Sequence, residues 1–75
     1  MVKFIFSPGA DDYGNIQALE GWLQNAGIVF GKESVYFYGE GARVTLTVDS
    51  TGAQESTAVD IAKRLNVSDC RTEKD

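Results

Sequence analysis

The 75-residue sequence predicts an α+β domain, with two helices laid on one face of an antiparallel sheet. Three observations predict it. Val44, Leu46 and Val48 alternate with Arg43, Thr45, Thr47 and Asp49, the two-residue period of a strand with one buried and one wet face. Just upstream, Val35-Tyr36-Phe37-Tyr38 is β-branched and aromatic and runs into Gly39-Glu40-Gly41, so Glu33 to Asp49 reads as a hairpin. Apolar residues at helical spacing flank it, with Ile16, Leu19, Trp22, Leu23 and Ala26 before and Ala58, Ile61, Ala62 and Leu65 after.

The register of the hairpin decides which residues are core, because a shift of one residue exchanges the two faces of a strand. A loop of even length pairs Phe37 with Val44 and Val35 with Leu46, and sends Tyr36 and Tyr38 to the other face beside Thr45 and Arg43. An odd loop would bury the tyrosines instead. The even register is the expected one, since it buries no phenol hydroxyl that would then need a partner.

The remaining elements follow in chain order. Val2-Lys3-Phe4-Ile5-Phe6 reads as a strand with Val2, Phe4 and Phe6 on one face, stopped by Ser7-Pro8-Gly9. The first helix has Asp12 or Asn15 as N-cap and Gly27 as its stop. Gly21 inside it costs up to about 1 kcal/mol relative to alanine, and a close approach of backbone or ligand would explain it. Ile28-Val29-Phe30 opens an extended stretch interrupted by Gly31-Lys32, as in an edge strand with a bulge. Thr51 and Gln54 fit a capping box for the second helix, with Asn66 as its left-handed end. Val67 to Thr72 offers a last, short strand beside the first, and residues 70–75 are polar enough to form a fraying tail.

The order β-α-β-β-α, with that last β, is the ferredoxin-like, split β-α-β arrangement, in which both helices cover one face of the sheet and the other stays open. The expected core sets Val2, Phe4, Phe6, Val35, Phe37, Val44, Leu46 and Val48 against Ile16, Leu19, Trp22, Leu23, Ile61 and Leu65. The open face is expected to carry Lys3, Ile5, Tyr36, Tyr38, Arg43, Thr45 and Thr47.

Composition narrows the function. A chain of this length is one domain, and its net charge of −4 with few clustered Lys and Arg argues against nucleic acid. Cys70 is the only cysteine, so no internal disulfide forms, and a cytoplasmic protein is the expectation. No stretch reaches the roughly 20 apolar residues of a membrane span, and the apolar run begun at Val2 ends at Ser7. Histidine is absent, which removes the commonest general base and metal ligand. Ser7, Cys70 and the tyrosines have no base partner at a readable spacing, so no enzyme, metal or cofactor is expected. Asp11-Asp12-Tyr13-Gly14-Asn15 lacks the alternating ligands of a calcium loop and reads as helix capping. The central strands also lack the aromatics that RNA-binding sheets stack on bases.

Across Asp11 to Ile28, DDYGNIQALEGWLQNAGI resembles the first loop and helix of ACT domains: an acidic residue, a glycine, a leucine-bearing helix, then Ala-Gly-Ile entering a strand. The resemblance covers about a quarter of the chain. It implies a ferredoxin-like regulatory module that pairs and binds amino acids near Gly14, with Asp11 and Asn15 beside it. Tyr13 departs from the proline usual before that glycine.

The residues themselves point to a small acidic, non-enzymatic binding module. Its open sheet face or edge, with Tyr36, Tyr38, Ile5, Arg43 and Thr45, is the expected contact for a protein partner of the adaptor or inhibitor type. The bland counterpart is that the two tyrosines cover a sheet edge or a homodimer contact. Amino-acid sensing at Asp11, Gly14 and Asn15 is the alternative.

Overall fold

A computed structural model describes residues 1–7, 13–49, 52–65 and 70–74, with the backbone alone at Tyr13. Six elements follow in order: β1 (Val2–Phe6), α1 (Tyr13–Asn25), β2 (Gly31–Phe37), β3 (Gly41–Val48), α2 (Ala53–Leu65) and β4 (Cys70–Lys74). The four strands form one sheet in the order β2-β3-β1-β4, and every neighbouring pair is antiparallel. This is the expected α+β architecture, with β1 and β3 in the centre.

The core forms where the alternation of β1 and β3 meets the helical stripes. Val2 lies opposite Val48, Phe4 opposite Leu46 and Phe6 opposite Val44, and all six are buried. Ile16, Leu19 and Leu23 of α1 and Ala58 and Ile61 of α2 close over them, so both helices lie on this side. Phe30, Val59, Ala62, Leu65 and Cys70 pack at the margin, which makes Leu65 a half-buried residue and not a central one.

Helix α1 stops as its glycine suggests. Gly27 has φ +73°, its N–H donates to Gln24 O at 3.0 Å, and the Ile28 N–H donates to Leu23 O at 2.9 Å. That pair of bonds is a Schellman cap, and Ile28 and Leu23, both buried, supply its apolar contact. Ile28 is therefore a helix-cap residue. Strand β2 begins at Gly31, three residues later than the extended stretch expected from Ile28.

The hairpin differs from expectation in its register. Phe37 lies opposite Gly41, Tyr36 opposite Ala42 and Val35 opposite Arg43, so Tyr38, Gly39 and Glu40 form a three-residue loop. The glycines explain the choice. The Glu40 N–H donates to Phe37 O at 3.0 Å, placing Gly39 with φ +78° at the third position of the turn, and Gly41 follows with φ +98°. A two-residue loop would put Glu40 at a position that needs positive φ, which a side chain resists and glycine does not.

The core expected of β2 changes accordingly. Val35 and Phe37 leave the core for the open face, while Lys32, Ser34 and Tyr36 share the helix side with Leu46, Val44 and Ala42. Tyr36 is still not buried. It remains 75% exposed, because its neighbour Ala42 lies between the turn and Val44, the core residue of β3 nearest the turn.

Three further expectations are corrected. Trp22 is 54% exposed, because it lies at the flank of the stripe formed by Ile16, Leu19 and Leu23. A side chain at Gly21 would meet nothing within 4 Å, so no close approach within the described residues accounts for that glycine. Residues 70–74, expected as part of a polar tail, form β4, and each pairs with a residue of β1, from Cys70 opposite Phe6 to Lys74 opposite Val2. Asp12, Thr51 and Asn66, expected as helix-end residues, and the start of the last strand at Val67 lie outside the described residues.

Glu55 ties the end of the sheet to α2. Its carboxylate accepts a hydrogen bond from the Met1 ammonium at 2.7 Å and lies 3.6 Å from Lys74 Nζ. The bond from the ammonium holds the Glu55 carboxyl below the usual range, outweighing partial burial, and the charges of the ammonium and Lys74 act in the same direction. A folded-state pKa below the unfolded one contributes stability that is complete above the ordinary glutamate range and lost as pH falls through it. The melting temperature is therefore expected to fall below about pH 4.3, and less steeply in Glu55→Gln. Parallel melting curves for the two proteins from neutral to acid pH would show that the carboxylate contributes nothing.

Candidate functional site

Strand β2 stands at one edge of the sheet. It has a neighbour on one side only, so along its outer side alternate N–H and C=O groups face away from the sheet. All its residues are exposed except Phe37, which is half-buried. Lys32 reaches Glu20 of α1 at 3.3 Å, an ion pair that ties β2 to the helical layer. Val35, Tyr36 and, in the turn, Tyr38 at 99% exposure form an apolar and aromatic run beside that backbone.

The open face of the sheet is polar and ordered in rows by the register. One row reads Gly31, Thr47, Lys3, Glu73 from β2 to β4, and the next reads Glu33, Thr45, Ile5, Arg71. Val35 and Arg43 follow towards the turn. The Arg43 guanidinium carbon lies 5.2 Å from the centroid of the Phe37 ring, a cation–π contact that draws it towards the hairpin end. Arg71 and Glu73 pair at 3.0 Å. Eight of these residues line a hollow of about 280 Å³: Lys3, Ile5, Glu33, Arg43, Thr45, Thr47, Arg71 and Glu73.

The five residues expected to share a partner surface are thus divided. Ile5, Arg43 and Thr45 stand together on the open face, with Ile5 and Thr45 half-buried. Tyr36 stands on the opposite face of β2, and Tyr38 is in the turn. The placing of the tyrosines on the open face is corrected by the three-residue loop, which turns Tyr36 over. Of the residues named by the ACT resemblance, Gly14 is exposed in the first turn of α1, Asn15 beside it is half-buried, and Asp11 lies outside the described residues.

Glu33, Arg71 and Glu73 belong to the open face and were missed as such. For Arg71 and Glu73 the signal lies in the alternation of Cys70 to Lys74, which becomes readable once Cys70, the half-buried member, marks the inward side, whereas Glu33 reaches this face through the three-residue loop. Burial pushes the Cys70 thiol up, so it stays protonated further into the alkaline range than a free cysteine.

Among the described residues no group of three or more acidic, cysteine or histidine side chains is placed to hold a metal ion. No helix among them is long and apolar enough to cross a membrane. Comparison with protein-family models, curated proteins and solved structures finds no match.

Proposed function

We propose that the chain is a non-enzymatic docking module in which the outer edge of β2, with Val35, Tyr36 and Tyr38, accepts an extended segment of a protein partner. One observation carries this reading: a seven-residue strand with an unpaired outer backbone and no fully buried residue. Long exposed edges invite pairing, and protective devices such as proline or a bulge are lacking among Gly31 to Phe37, where Lys32 is engaged with Glu20. Added-strand recognition draws affinity from main-chain hydrogen bonds and specificity from side chains on alternate faces. Tyr36 and Tyr38 are the residue type that dominates binding hot spots.

Selecting peptides from a random displayed library and mapping the binders by amide chemical shifts tests this. The expected result is that shifts concentrate in Gly31 to Phe37, and that replacing Val35 and Tyr36 together by lysine weakens binding by at least about 2 kcal/mol. The fold should lose little, because both residues are exposed. Binders that map to the outer faces of α1 and α2, or that survive both lysines, would overturn the proposal.

A further inference from the structure

We propose that the hollow on the open sheet face binds a zwitterion of dipeptide length, with its carboxylate at Lys3 and its ammonium at Glu33. The two side chains carry opposite charges and lie on β1 and β2, separated by β3. Among the described residues neither takes part in an ion pair or hydrogen bond. Glu73, which lies opposite Lys3, is held by Arg71 at 3.0 Å, and Arg43 is drawn to Phe37. Lys3 and Glu33 therefore line the hollow with no ion-pair partner within 4 Å among the described residues.

Their spacing sets the length of the ligand. Two strand separations and one row displacement put the two backbones about 12 Å apart. Side chains rising perpendicular to the sheet keep that separation at their heads. Subtracting a hydrogen bond of about 2.8 Å at each end leaves about 6 Å between the charges of a bound molecule. An α-amino acid spans about 3 Å between its ammonium and carboxylate, whereas two extended residues span about 7 Å.

The floor between the two charges suits a peptide group. The line from Lys3 to Glu33 crosses β3 between Thr47, beside Lys3, and Thr45, beside Glu33. A threonine hydroxyl both donates and accepts, so the pair can answer a peptide C=O and N–H. The hollow of about 280 Å³ falls just below the range of drug-sized sites and fits a small ligand. A phosphate or other dianion would meet Glu33 and Glu73 as well as Lys3, Arg43 and Arg71, and like a simple carboxylate it leaves Glu33 unanswered.

Titration of the isotopically labelled protein with glycylglycine, followed by amide shifts, decides the matter. Saturable shifts at Thr45 and Thr47 are expected, with N-acetylglycylglycine, glycylglycinamide and glycine each binding about tenfold more weakly or worse. Glu33→Gln should abolish the preference over the acetylated form, and Lys3→Gln the preference over the amide. If Lys3→Gln fails to fold, Thr47→Val, which keeps both charges, should weaken glycylglycine binding while leaving amide dispersion intact. Equal binding of the acetylated form, shifts confined to residues outside the hollow, or no saturable shift would each overturn the proposal.

Discussion

Phe4→Ala is expected to cost about 3–5 kcal/mol of stability, while Phe37→Ala costs about 1 kcal/mol. The same side chain is deleted in both, so the difference reports position alone. Phe4 is fully buried between Val2 and Phe6 on β1 and faces Leu46, and its loss leaves a cavity lined by residues of the sheet and the helices. Phe37 stands half-buried on the open face beneath Arg43, where solvent fills the space it vacates. A domain of this length has roughly 4–11 kcal/mol to lose, so Phe4→Ala alone approaches the threshold of unfolding. Urea unfolding of both variants measures the contrast. Equal losses would mean that Phe37 is core and that the hairpin has an even-length loop.

Replacing Gly39 by valine is expected to cost about 1–2 kcal/mol, and replacing Gly41 as well to cost more than either alone. Both residues have φ values in the left-handed region, +78° and +98°. A Cβ at Gly39 would meet nothing within 4 Å, so the cost there comes from the backbone and not from a clash. Gly21 supplies the control. It too has nothing within 4 Å, but it is inside α1 and lacks a positive φ, so Gly21→Ala should stabilise the protein by about 0.4–1 kcal/mol. Thermal unfolding of the single and double variants suffices, and a Gly39→Val protein as stable as the parent would show that the three-residue loop is not what holds the register.

Much of the fold is legible in the sequence. The alternation in β1 and β3 was clean, and Val2, Phe4, Phe6, Val44, Leu46 and Val48 are all buried as that alternation requires. The stripes of α1 and α2 bury Ile16, Leu19, Leu23 and Ile61 as their helical spacing requires, and Gly27 ends α1 as its backbone freedom allows. These features depend on a residue and its neighbours a few positions away. Trp22 was misplaced because a helical stripe has edges, and which edge a tertiary neighbour covers is not a local property.

The candidate site was less legible, for the same reason. In Val35-Tyr36-Phe37-Tyr38 both faces are apolar, so no alternation reports which one turns inward. One loop residue more or less moves Tyr36 between the helix side and the open side. The sequence by itself determined the elements and the inward faces of the two central strands, because local periodicity and the backbone freedom of glycine are written in the order of residues. Only the tertiary structure decided the register of β2, the row that sets Glu33 beside Thr45 and Lys3 beside Thr47, and the exposure of Tyr36, because each depends on which distant residue lies across the sheet.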